Sequence, residues 1–166
     1  SYENWTLLRR ELMNPGSSGS PVYLLSLSAP NTSSWLSGDL VEVLPRNCPW
    51  VIEHFLDGLG IRGETTVKIN GLDEPLEVAL ASRQLPQHRA HLVGLHAQSL
   101  VDAMVPLAMR EYSIASIAAD GVLELIVRQE QHADGTLGIA SGWLTEHAPV
   151  GGSISLRVRR NSGFHL

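Results

Sequence analysis

A single cysteine, Cys48, stands in a sequence of 166 residues. One thiol cannot form an internal disulfide, and it leaves no cysteine set for a structural zinc. Aromatic residues are scarce at 5%, and charged residues make up only 17%. The basic side chains are outnumbered, 12 Lys and Arg against 17 Asp and Glu, for a net charge of −5. Such a balance suits neither a grip on nucleic-acid phosphates nor a disordered, highly charged chain. No apolar run approaches the roughly 20 residues that a membrane-spanning helix needs. The opening stretch "SYENWTLLRREL" is too polar for a secretory signal. What is plentiful is apolar surface, 43% of the residues, enough in a chain of this length for one real core. These counts read as a soluble domain of a reducing compartment. A cytoplasmic location is expected, with no nucleic-acid partner, no membrane segment and no metal.

Period-two patterns dominate what is there. Val22 to Ser28, Leu40 to Leu44, Thr66 to Ile69 and Val122 to Val127 read as strands, as does the alternation of Ile154, Leu156 and Val158. In Leu40 to Leu44, Val41 and Val43 fall on one face and Glu42 on the other. Glycine-rich and Asn-Gly or Asp-Gly turns separate these runs. Helical spacing is confined mostly to the middle, at 49–59, 75–82 and 98–105, with one more helix at 139–147 opened by Gly138. The expected architecture is an antiparallel β-domain carrying a helical insert at about 48–109.

Three motifs mislead. Gly58-Leu59-Gly60-Ile61-Arg62-Gly63 spells G-x-G-x-x-G, but a dinucleotide fingerprint needs a strand before it and a helix after it. Here a helix precedes, so the glycines read as its stop. His88, His91 and His96 cluster locally without a carboxylate or cysteine at ligand spacing. Gly138 to Gly142 has one residue too many before its serine for a nucleophile elbow.

Two stretches carry chemistry. In "MREYSIASI", 109–117, Arg110 and Tyr112 share one face of an extended segment and Ser113 takes the other. Arginine offers a fixed fork of donors suited to phosphate, and tyrosine a flat ring suited to stacking. A strand with one ion-paired arginine and a core tyrosine has the same spelling. In "GTLGIASGWL", 135–144, Gly138 allows close backbone approach, Ser141 adds a hydroxyl, and a helix start directs free N–H groups outward. An ordinary capped helix would look alike. Two phosphate-suited elements in one β-domain together suggest a pyrophosphate with a flat ring attached.

With these residues in view the chain resembles the ferredoxin-NADP reductase superfamily. "REYSIAS" at 110–116 is similar to its Arg-x-Tyr-Ser signature, and "GIASGWL" at 138–144 to its Gly-x-x-Ser/Thr pyrophosphate motif. "SGDLVEVLPRN" at 37–47, "PLAMREYSIAS" and the terminal "NSGFHL" resemble its diflavin branch, which holds sulfite reductase flavoproteins and cytochrome reductases. The resemblance spans residues 20–166.

The resemblance implies a mainly β fold: a six-stranded antiparallel FAD-binding barrel with a short connecting insert and a helix at the pyrophosphate site. Residues 1–166 would be a single FAD-binding domain. An NADP-binding domain would follow residue 166, and a flavodoxin-like FMN domain would precede residue 1. Arg110 would bind the FAD pyrophosphate, Tyr112 would stack on the isoalloxazine ring, and Ser113 would approach its hydride-accepting nitrogen as the catalytic contact. Gly138, Ile139, Ala140 and Ser141 would close around the pyrophosphate. Backbone groups at Val127, Arg128 and Gln129 would meet the pyrimidine edge. The implied function is passage of electrons from NADPH through FAD to FMN or an acceptor protein. This chain alone is expected not to turn over NADPH. A single-flavin reductase module and a non-enzymatic small-ligand barrel are the rival readings.

Overall fold

The computed structural model describes residues 2–30, 39–117 and 121–160. In chain order these form β1 (Glu3–Leu12), β2 (Val22–Ser28), β3 (Leu40–Val43), α1 (Pro49–Leu59), β4 (Thr66–Ile69), β5 (Leu72–Pro75), α2 (Leu76–Leu80), α3 (Ala97–Asp102), β6 (Arg110–Ile117), β7 (Val122–Arg128), α4 (Ile139–Gly142) and β8 (Ser153–Arg159). The chain divides into two compact units, residues 1–45 with 109–166, and residues 46–108.

The first unit is a closed antiparallel barrel in the order β1-β2-β7-β6-β3-β8, with β8 returning to β1. Alternation fills it. Leu25 and Leu27, Val41 and Val43, Leu123, Leu125 and Val127, and Ile154 and Leu156 all point inward and are fully buried. The outward Glu42 of β3 is buried too, because Arg157 donates to it at 2.5 Å and Arg159 lies 3.6 Å away. The expected six-stranded barrel is present, but its members differ from the sequence reading at one place. Glu3–Leu12, passed over as a polar start, is a barrel strand, with Trp5 and Leu7 in the core. A register shift between Leu7 and Arg9 breaks its alternation, which is why no period of two is visible. Thr66–Ile69, within the expected insert, is a strand that pairs with β5 outside the barrel.

The helical expectation at 139–147 is met in two parts, α4 and a wider π-type turn over Trp143–His147. Thr145 donates its hydroxyl to the Ser141 carbonyl at 2.5 Å, the acceptor that a regular α-turn reserves for an amide. The Ala148 amide then reaches back to the Trp143 carbonyl at 2.8 Å. Leu144 and Ala148 enter the barrel core. Arg10 ties off this end, donating to the carbonyls of Ala148 at 2.7 Å, Leu144 at 3.2 Å and Glu146 at 3.3 Å.

The second unit has its own core, built around Ile52, Phe55, Leu56, Leu76, Leu80 and Leu100. β4 and β5 form a hairpin whose turn puts Asn70 at φ 51° and Gly71 at φ 79°, the left-handed pair that a two-residue hairpin favours. Gly60, at φ 68°, caps α1, so the glycines from 58 to 63 end a helix rather than begin one. The Asn47 side chain donates to the carbonyls of Leu80 and Arg83 at 2.8 and 2.6 Å. Cys48 is buried at the start of α1. His91 sits in a short turn at Ala90–Leu92 and His96 precedes α3. Among the described residues no group of three His, Cys, Asp or Glu is arranged to hold a metal ion, and no helix is long and apolar enough to cross a membrane.

Candidate functional site

Strand β6 sets the first part of the site by its alternation. Ile114 is in the barrel core, Tyr112 is half-buried against that core, and Arg110 is exposed at the strand's start. Tyr112 lies opposite the buried Val41 and Arg110 opposite the buried Val43, so both arise on the inward-facing side of β6. Ser113 lies opposite Leu40 on the outer side, where its side chain is exposed.

The gap beside them follows from hydrogen-bond direction. β6 and β7 pair with each other only from Ile114↔Leu125 to Ile117↔Leu123, although β6 extends back to Arg110 and β7 on to Arg128. The Ile114 amide is given to the Asp39 carbonyl at 2.8 Å, on the β3 side. Alternation therefore turns the Ser113 backbone towards β7. Across from it, the Gln129 amide is given to the Pro21 carbonyl at 2.8 Å, on the β2 side. Val127 thus spends its backbone groups, and Gln129 its amide, on β2, and Arg128 alone of the three turns its amide towards the gap. The Val127 side chain is in the core, and the Gln129 side chain donates to the Thr145 hydroxyl at 3.0 Å.

The chain leaves β7 through a tight turn. Asp134 accepts from both the amide and the hydroxyl of Thr136, at 3.0 and 2.6 Å, which holds its carboxyl below the usual carboxylate range. Gly135 takes φ 90°, and the His132 amide closes the turn on the Thr136 carbonyl at 2.7 Å. This returns Gly138 to the end of β7, where its amide donates to the Glu130 carbonyl at 2.8 Å. The Glu130 amide donates to the Ser141 hydroxyl oxygen at 2.9 Å.

Arg110 completes the arrangement, with its guanidinium 3.8 Å from the Glu130 carboxylate. Of the residues singled out in the sequence, Arg110, Gly138 and Ser141 are thereby joined around Glu130. Ile139 is half-exposed, while Ala140 and Ser141 are buried. Burial pushes the Tyr112 hydroxyl up from its ordinary pKa; Arg110 opposes that shift and Glu130 adds to it. Tyr112 is therefore a neutral phenol at physiological pH.

Sequence reasoning missed Glu130 and Thr145. Glu130 is one polar residue beyond a strand end, with no spacing to distinguish it, and Thr145 reads as one more helical residue.

The donors fit a diphosphate. Arg110 supplies a fork, Ser141 accepts one bond and keeps a hydroxyl proton to give, and the first turn after Gly138 leaves its amides without intrahelical acceptors. Gly138 leaves room that a side chain would fill, since a Cβ there would lie 3.2 Å from the Ser141 hydroxyl oxygen.

No family model matches the chain. It is similar to the sulfite reductase [NADPH] flavoprotein alpha-component of Yersinia pestis, 27% identical over 175 aligned positions, covering 78% of this chain and 29% of that protein. The same component from Neisseria meningitidis serogroup B is 26% identical over 178 positions, covering 80% of this chain and 30% of its own length. The chain thus spans less than a third of these curated relatives. Among solved structures, ferredoxin-NADP+ reductase from Plasmodium falciparum with 2'P-AMP matches at a TM-score of 0.52 and 12% identity, over 96% of this chain and 39% of that one. A mutant of that enzyme, also with 2'P-AMP, matches at a TM-score of 0.53. At this identity the likeness is one of fold: the barrel described above is the barrel found in those reductases.

Proposed function

We propose that this chain is the FAD-binding module of an NADPH-dependent flavoprotein oxidoreductase of the ferredoxin-NADP reductase superfamily. The observation that carries the reading is the convergence of Arg110, Gly138 and Ser141 on one spot, beside the half-buried Tyr112 and the gap between β6 and β7. Arg110, Ser141 and the amides after Gly138 would hold the diphosphate. Tyr112 would lie against the ring, and the backbones of Ser113 and Arg128 would meet the ring edge from opposite strands. Ser113 would be the contact nearest the reacting atom. Val127 and Gln129 would shape the site through the core and through Thr145. Bound FAD would supply the hydride and electron chemistry, while this chain would bind, orient and shield it.

The names of the relatives support the finer reading, in which electrons pass from NADPH through FAD to FMN or an acceptor protein, as in a diflavin reductase. The separate unit at residues 46–108 favours that branch over a single-flavin module. An NADP-binding domain, a flavodoxin-like domain and a cytoplasmic setting belong to the same proposal. Hydride transfer needs the donor held about 3–3.5 Å from the ring. That positioning falls to the NADP-binding domain.

Flavin spectroscopy tests the reading. With the 166-residue chain, bound FAD is expected to lose fluorescence against Tyr112, and NADPH is expected not to be oxidised at an enzymatic rate. Tyr112→Phe should keep most of the affinity, because the ring does the stacking. Tyr112→Ala should lose about 0.5–1.5 kcal/mol beyond simple area burial. Unchanged bound-flavin fluorescence in Tyr112→Ala would remove the stacking role, and saturable NADPH oxidation would show a nicotinamide site within this chain.

A further inference from the structure

We infer that Glu130 is an internal counter-ion that stands in the diphosphate position of the site and limits the affinity for that group. The inference rests on the flavin reading and goes beyond it to what sets affinity. The backbone of Glu130 is pinned on both sides, by its amide on the Ser141 hydroxyl at 2.9 Å and by the Gly138 amide on its carbonyl at 2.8 Å. Only its side chain is free to move. That side chain points back into the cluster: its carboxylate is 3.8 Å from the Arg110 guanidinium, and a Cβ on Gly138 would lie 3.5 Å from the same oxygen. The carboxylate thus already occupies the ground between the guanidinium and Gly138.

A diphosphate and this carboxylate cannot share Arg110 without like-charge repulsion. The carboxylate has to turn outward before the ligand is held. With 65% of its side chain exposed it can do so, and an exposed pair of this kind is weak enough to open readily. The cost falls on ligands that bring a phosphate group and spares those that bring the ring alone. Glu130 is in this sense a specificity-setting residue, acting through Arg110.

The test is a calorimetric titration of FAD, inorganic pyrophosphate and riboflavin into the 166-residue chain, Glu130→Gln and Glu53→Gln. Glu53→Gln makes the same charge change at an exposed site on α1. Glu130→Gln is expected to bind FAD and pyrophosphate about five-fold more tightly than the parent, the gain an exposed ion pair can supply. Glu53→Gln should match the parent, and riboflavin should not distinguish the three proteins. Equal or weaker FAD binding by Glu130→Gln overturns the inference and leaves the flavin reading standing. An equal gain for riboflavin, or for Glu53→Gln, overturns it as well, since the effect would not pass through the phosphate site. A parent and Glu130→Gln that bind neither FAD nor pyrophosphate overturn both readings together.

Discussion

Arg110→Ala is expected to weaken FAD binding by about 2–5 kcal/mol, the loss typical of truncating one partner of a desolvated charge pair. The figure applies to the proposed complex, in which ring and diphosphate would cover the guanidinium. In the free protein the Arg110 side chain is 59% exposed and faces Glu130 at 3.8 Å, so its removal should move thermal stability by well under about 1 kcal/mol. Affinity and stability therefore separate, which distinguishes a binding residue from a structural one. Arg110→Lys should recover only part of the affinity, since a point charge cannot reproduce the fork. Unchanged FAD affinity in Arg110→Ala would take Arg110 out of the site.

Leu144→Ala is expected to have the opposite profile. Leu144 hangs from the π-type turn into the barrel core and is fully buried. Its truncation should cost about 2–5 kcal/mol of stability through lost transfer energy and the cavity left behind. The carbonyl of Leu144 accepts from Arg10, so the segment has a polar anchor that survives the substitution. Ile139, on the same segment but half-exposed, should lose far less on the same change. Equilibrium denaturant unfolding of the two variants checks this. Equal losses would mean that the segment does not plug the barrel as described.

How legible these features were depended on whether one strand or a distant contact set them. Val41, Glu42 and Val43 announce their faces by alternation alone, and the barrel confirms them. Arg110, Tyr112 and Ser113 could be assigned to faces for the same reason. Strand β1 could not, because its register shift after Leu7 erases the period just where it would be counted. Leu72–Pro75 was hidden for a different reason: only the left-handed turn at Asn70 and Gly71 makes it a strand, by folding it back on Thr66–Ile69. The strand at Leu40–Val43 and the helix start after Gly138 were readable locally. Arg10 was not, since the carbonyls it binds are more than 130 residues away in sequence. Glu130 is the instructive case. Its amide, carbonyl and carboxylate each meet a residue already singled out, yet no spacing rule selects it. The motif residues Ser37 and Gly38 and the terminal stretch 161–166 lie outside the described residues.

The central claim is that this chain holds FAD by its diphosphate. It is tested most directly by titrating the purified 166-residue protein with FAD and, separately, with riboflavin, following heat and flavin fluorescence together. The account predicts saturable one-to-one binding of FAD, with quenched fluorescence and clearly weaker binding of riboflavin. An absence of FAD binding, or riboflavin binding as tightly as FAD, would contradict it.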